Sequence, residues 1–147
     1  MLIVVALSSH SSQAMYADTN KSAHSIHSIR VEIDYAGYGD LDSDSYQDDI
    51  LVVTTFYLAS SAYYHYYYRI SLILPSGTMY SYLVEVKAWV SQVRIYNFFI
   101  DHATEAGNYT VIVEAFLVYP DVLYTATGVI FDPPGGSNGG EPTFGAT

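Results

Sequence analysis

The chain has 147 residues, half of them hydrophobic, and 15 Asp and Glu against five Lys and Arg leave a formal charge of −10. Its apolar content excludes intrinsic disorder, and its length fits one domain with a tail. Five scattered basic residues exclude a patch for a phosphate backbone, so no nucleic-acid partner is expected, and the absence of cysteine excludes disulfides, iron–sulfur clusters, thiolate zinc sites and a thiol nucleophile.

Taken in chain order, Leu2, Ile3, Val4, Val5, Ala6 and Leu7 form an apolar run. Two readings compete. One is a signal-peptide remnant ending near Ala14, although no Lys or Arg precedes the run. The other is a mature β-strand over residues 2–8, because consecutive apolar residues suit a strand buried on both faces. The run is far short of the ~20 residues that cross a bilayer as a helix, so no membrane span is expected. A Ser-rich stretch, residues 8–25, follows.

From residue 26 onward the period is two. His27, Ile29, Val31 and Ile33 alternate with Ser28, Arg30, Glu32 and Asp34. Residues 50–59 are β-branched and aromatic, and 63–74 form a further strand stopped by Pro75-Ser76-Gly77. Strands are also expected over 78–90, 92–101, 109–119 and, after Pro120-Asp121, 123–132. Seven strands with turn signals between them, and no helical periodicity, predict an all-β antiparallel sandwich. Residues 133–147 are rich in Gly and Pro and read as a tail. The expected division is therefore residues 1–25 as N-terminal strand and linker, 26–132 as sandwich and 133–147 as tail.

The richest chemistry lies in Asp40-Leu41-Asp42-Ser43-Asp44-Ser45-Tyr46-Gln47-Asp48-Asp49. Carboxylates at positions 1, 3 and 5 (Asp40, Asp42, Asp44), a main-chain carbonyl at 7 (Tyr46) and an acid at 9 (Asp48) supply hard oxygens of the kind calcium prefers. The plain alternative is a solvated acidic loop. Against it, crowded carboxylates repel one another at a cost that a cation removes. The segment resembles the D-x-D-x-D calcium loops of EF-hands. Ser45 replaces the glycine of position 6, which predicts a looser turn, and Leu51 stands where the bidentate Glu of position 12 would be. Asp49, or Asp34 across a turn at Gly37–Gly39, is expected to complete the shell. Calcium suits the site better than magnesium, which keeps its waters.

The five histidines (His10, His24, His27, His65, His102) are scattered, and no phosphate loop, H-E-x-x-H or dinucleotide fingerprint is present. No catalytic residue is expected, and the chain does not read as an enzyme. In Tyr63-Tyr64-His65-Tyr66-Tyr67-Tyr68-Arg69, alternation puts Tyr64, Tyr66 and Tyr68 in the core. Tyr63 and Tyr67 are left as a surface patch for subunit contacts, with glycan stacking as the competing use. Trp89 reads as packing. Asn20-Lys21-Ser22 and Asn108-Tyr109-Thr110 fit the N-glycosylation triplet, which matters only outside the cell.

The run Ala106-Gly107-Asn108-Tyr109-Thr110-Val111-Ile112-Val113 resembles the entry to the penultimate strand of immunoglobulin-like sandwiches. The resemblance implies that the Tyr109 hydroxyl bonds back to the preceding turn, without the Cys…Trp…Cys core of antibody domains. The layout of an apolar leading strand, a polar linker and a sandwich is similar to that of pilin-like donor-strand proteins of prokaryotic surfaces. That likeness implies an extracellular filament subunit, a helical homopolymer in which residues such as Leu2, Ile3, Val4, Val5 and Leu7 complete the sheet of an identical neighbour, stabilised by calcium and open to glycosylation. The alternative is a calcium-stabilised cell-surface adhesin or carbohydrate-binding module, whose residues 2–8 are the first strand of its own sandwich.

Overall fold

The computed structural model describes residues 3–8, 28–119, 123–133 and 140–147. All its regular structure is strand: β1 (Ile3–Ser8), β2 (Ile29–Gly39), β3 (Asp49–Leu58), β4 (Tyr63–Ile73), β5 (Met79–Trp89), β6 (Gln92–Ile100), β7 (Tyr109–Tyr119), β8 (Leu123–Phe131) and β9 (Thr143–Ala146). Two antiparallel sheets face each other. One has the order β1-β5-β4-β7-β8 and the other β2-β3-β6-β9.

The seven strands expected from alternation are β2 to β8, and they form the sandwich. β2, β3 and β6 stand where immunoglobulin domains have A, B and E; β4, β7 and β8 stand for C, F and G, with β5 beside β4 like the extra strand C′. The tyrosine corner is present: the Tyr109 hydroxyl donates to the Glu105 carbonyl (2.9 Å) and accepts from the Glu105 amide (2.8 Å). At the turn between β4 and β5, Gly77 takes φ 89°, which a side chain would resist.

The sequence and the structure differ at the C-terminus. Part of the stretch read as a Gly/Pro tail is strand β9, paired antiparallel with β6 from Asn97↔Ala146 to Ile100↔Thr143. Four residues are too few to show an alternation of their own, and the composition of the preceding stretch masked them. The terminal strands complete the same side of the sandwich. β1 pairs with the edge of β5, β9 with the edge of β6, and β1 lies against β9. On the opposite side β2 packs against β8.

The core follows the period of two. Tyr64, Tyr66 and Tyr68 of β4 are fully buried, as alternation predicts, and Phe56 of β3 packs its ring 5.1 Å from Tyr66 and 4.9 Å from Tyr68. Val84 and Val86, Val111 and Val113, Ile95 and Phe99 complete it from neighbouring strands. Each such side chain contributes about 1.5–3 kcal/mol on burial. The buried hydroxyls differ in their fate. Tyr68 O–H donates to Asn97 Oδ1 (2.6 Å), and Asn97 Nδ2 donates to the Val52 carbonyl (3.0 Å) and Thr54 Oγ1 (3.2 Å). The Tyr66 hydroxyl has no partner among the described residues, and burial pushes its pKa far above the usual phenol value.

This contrast sets an expected outcome. Tyr68→Phe should destabilise the fold by about 1–2 kcal/mol, because it orphans the Asn97 oxygen, whereas Tyr66→Phe removes an unpaired polar atom and should be neutral or stabilising. Urea unfolding of the two variants beside the parent measures both. Equal losses would contradict the network.

Candidate metal centre

Residues 40–48 join β2 to β3, whose pairing runs out to Gly39↔Asp49. The loop folds around its own carboxylates. Asp40 Oδ2 accepts from the Ser45 amide (3.1 Å), Asp42 Oδ1 from the Asp44 amide (3.1 Å) and Asp44 Oδ1 from the Tyr46 amide (2.8 Å). These short-range Asx contacts explain why Asp and Ser in this spacing make a compact loop. Ser45 stands where a glycine is expected. It takes φ 79°, the left-handed conformation that a glycine would supply, and Ser43 takes φ 69°. Such residues store about 1 kcal/mol each, which the surrounding hydrogen bonds hold in place.

Asp49 anchors the loop to the sandwich. Its Oδ2 accepts from the Leu41 (2.6 Å) and Asp42 (3.2 Å) amides, and its Oδ1 accepts from the Asp101 amide (2.8 Å). Asp101 follows β6 with φ 58° and is buried. The Ala103 amide donates to the Asp48 carbonyl (2.7 Å), closing the turn after β6 onto the root of β3.

Carboxylate oxygens of three overlapping groups lie within 4.8 Å of one another: Asp40, Asp42 and Asp49; Asp42, Asp44 and Asp101; Asp48, Asp49 and Asp101. The first two mix exposed and buried residues, while the third is wholly buried. In that third group Asp48 is 1% exposed, and neither of its carboxylate oxygens has a hydrogen-bond partner among the described residues. A buried, unpaired carboxylate beside two others is costly. At an effective dielectric of about 20, like charges 4 Å apart repel by about 4 kcal/mol. A hard cation is the group that such an all-oxygen arrangement fits, and these residues could hold one. The crowding also reaches Asp42. Desolvation raises its carboxyl above the usual value, the Asp44 amide bond lowers it, and the charges of Asp44, Asp49 and Asp101 raise it further.

One expectation about the shell needs correction. Asp34 does not join it. Gly37–Gly39 is no turn but the end of β2, which runs straight through after a register shift between Ile33 and Tyr35. Asp34 Oδ2 instead accepts from Thr55 Oγ1 (2.6 Å) and pairs with Arg94 (3.3 Å). Tyr46 stays on the exposed part of the loop, its amide bound to Asp44. The residue that sequence reasoning missed is Asp101. It lies 52 positions from Asp49, and only the β3–β6 pairing, with Ile50 opposite Phe99, brings it in. His102 beside it is not available as a ligand. Nδ1 donates to the Ile100 carbonyl (2.6 Å) and Nε2 accepts from the Tyr82 hydroxyl (2.8 Å), and burial lowers its pKa, keeping it neutral.

The other expected positions lie outside the acidic loop. Tyr63 and Tyr67 sit half-buried on the outer face of the five-stranded sheet, inside a contact network rather than standing free. Tyr63 packs 5.5 Å from Trp89 and 5.8 Å from Tyr119, ring to ring. Trp89 is 68% exposed, against its expected role in packing: it follows the buried Ala88, so alternation turns it outward. Tyr67 O–H donates to Glu85 (3.0 Å), which also binds His65 (2.8 Å) and Lys87 (2.9 Å). Ile3, Val4, Val5 and Leu7 lie on β1, in register with Lys87, Val86, Glu85 and Leu83. Asn108 is exposed at the entry to β7. Leu2, Asn20, His10, His24 and His27 lie outside the described residues.

Compared with known families and with curated proteins, the sequence matches neither a family model nor a relative. Among the described residues no helix is long and apolar enough to cross a membrane.

A hard cation held by these residues, with calcium as the probe at about 100 times its Kd, should stabilise the fold by about 2.7 kcal/mol, or about 8 °C in Tm for a chain of this size, and a chelator should reverse it. Asp48→Asn should abolish that response and, without metal, melt no lower than the parent, since it removes a buried charge. Differential scanning calorimetry with and without calcium checks both; an unchanged melt in the parent would exclude the site. A second outcome concerns Glu85. Bonds from Lys87, then Tyr67 and His65, hold its carboxyl down at about 2. A lowered carboxyl pKa contributes stability that is present above the ordinary carboxylate range and is lost as pH falls toward about 2. Glu85→Gln should therefore flatten the decline in Tm between about pH 4.5 and 2.

Proposed function

We propose that this chain is a structural subunit of an extracellular filament, joined to identical neighbours by exchange of its N-terminal strand and stiffened by calcium in the acidic centre. The observation that carries this reading is the position of β1. Strands β2 to β8 make a sandwich by themselves, and β1 adds to it only at the edge of β5, through the register Ile3↔Lys87 to Ser8↔Tyr82. The chain between Ser8 and Ile29 is 20 residues long. Extended, that length spans up to about 70 Å, roughly twice the ~37 Å of an 11-residue strand, so β1 can reach the same edge of an adjacent sandwich. Exchange keeps every backbone pair and changes only which molecule supplies it. One-directional exchange makes a heterologous contact, and a rotation that does not close builds a helix.

The acidic composition, the exposed Asn108 of a glycosylation triplet and an all-oxygen centre support an extracellular setting, where calcium is abundant enough for weak sites. No catalytic step enters this reading. A second reading, a cell-surface adhesin or carbohydrate-binding module, is favoured by one observation. Trp89, Tyr63 and Tyr119 form an outward aromatic cluster of the kind on which sugar rings stack.

The cysteine-free chain makes the test clean. Residues Leu7 and Leu83 are paired across β1 and β5, at a Cα separation that antiparallel pairs share with disulfides. In Leu7→Cys/Leu83→Cys, oxidation should give a covalent ladder of multimers on a non-reducing gel, and negative-stain microscopy should show fibres that vanish when residues 1–12 are removed. Monomeric cross-links alone would mean that β1 closes its own sandwich, and the binding-module reading would replace the filament.

A further inference from the structure

The C-terminal strand β9 is short for an edge strand and depends on anchors. It has four register pairs with β6, extended by the reciprocal bonds of Thr147 with Tyr96 (2.8 and 3.0 Å). So short an edge strand brings few backbone bonds of its own to the sheet. Phe144 fixes its middle: the ring stacks 4.2 Å from Tyr82, nearly parallel at 8°, and meets Phe99 edge-on at 5.1 Å. Its entry is fixed differently. Gly140 lies against Asp101 so closely that a Cβ there would come 2.8 Å from Asp101 Oδ2. Pairing of β9 begins at Ile100↔Thr143, directly beside that aspartate.

Asp101 also belongs to the buried acidic group, to which it comes from the end of β6. Asp48 and Asp49 stand at the root of β3, which lies between β2 and β6, and Asp49 is held by three amide donors. Both oxygens of Asp48 are buried and, among the described residues, unpaired, an arrangement that suits a cation better than a solvated cluster. Without a cation, repulsion among the three favours an Asp101 carboxylate turned away from Asp48 and Asp49. Gly140 occupies the space against its Oδ2.

We infer that a divalent cation held by Asp48, Asp49 and Asp101 clasps the C-terminal strand: it holds Asp101 in the position against which residue 140 docks, and its loss releases residues 140–147 and opens the edge of β6. This rests on the reading of the acidic group as a cation site. Cation binding and β9 docking are then one linked equilibrium, so each strengthens the other by the same factor. The released state leaves Phe99 and Tyr82 without the Phe144 ring and bares the backbone groups of β6, an edge competent to pair with another strand.

Calcium titration of the full chain by calorimetry, combined with hydrogen–deuterium exchange, tests the clasp. Calcium should slow exchange of the amides of 143–147 and of Tyr96 at least tenfold, with little change in β4 and β7, and Asp48→Asn should lose both the binding and the slowing. Reciprocally, Phe144→Ala keeps all three aspartates but loosens β9, so its calcium affinity should fall about tenfold. Calcium binding with unchanged exchange over 140–147, or parental affinity in Phe144→Ala, would overturn the clasp while leaving the cation site standing. No binding at millimolar calcium would overturn both.

Discussion

The antiparallel pairing of β3 with β6 is the constraint on which the rest of the molecule depends. Its register, Ile50↔Phe99 through Tyr57↔Gln92, sets three things at once. It carries Asp101 past the end of β6 to the root of β3, where Asp48 and Asp49 wait. It places Asn97 opposite Val52, within reach of Thr54 and of Tyr68 from the facing sheet. It also leaves the far edge of β6 as the template for β9. A slip of one residue would turn Asn97 outward and send Phe99 to the surface, so the apolar alternation and the polar centre enforce the same register.

Tyrosine does unusual work in this core. Three tyrosines from one strand and Tyr109 from its neighbour are fully buried, where most sandwiches place Val, Ile or Leu. Their rings fill the space between the sheets, but each brings a hydroxyl that must find a partner or cost stability. Tyr64 reaches Ser60 (3.2 Å) and Tyr109 closes the corner at Glu105, tying core to loops, while Tyr68 reaches Asn97 of β6 and ties the two sheets together. On the outer face, the same strand carries Tyr63, His65 and Tyr67, tied to Trp89 and Glu85 of β5. One strand thus serves both as the densest part of the core and as the most aromatic part of the surface.

The two chain termini share a task. Without β1 and β9, the edges of β5 and β6 would present unpaired backbone along the same side of the sandwich, a liability for any soluble β-protein. Both terminal strands are joined to the body by stretches rich in Ser, or in Gly and Pro, and both are paired only at an edge. An arrangement in which the ends of the chain guard the open edges is also one in which those edges can be handed to another copy. The acidic centre stands beside one of these two edges, where Asp101 meets Gly140.

Much of this was legible in the sequence, because alternation is a local property. The seven strands of the sandwich, the inward Tyr64, Tyr66 and Tyr68, the tyrosine corner and the acidic loop all follow from residues close together in the chain. Trp89 was legible too, since the buried Val84, Val86 and Ala88 already assign it the outer face; its hydrophobic character misdirects the reading. What only the tertiary structure decided were the long-range meetings. Asp101 joins the acidic group, and Asp34 leaves it, because strand register rather than sequence distance determines which carboxylates converge. β9 forms because β6 offers an edge and Tyr82 and Phe99 offer a seat for Phe144, neither of which can be seen from four residues in a Gly/Pro-rich stretch. The sequence by itself determined what each segment could become, and the pairing of distant strands decided which segments meet.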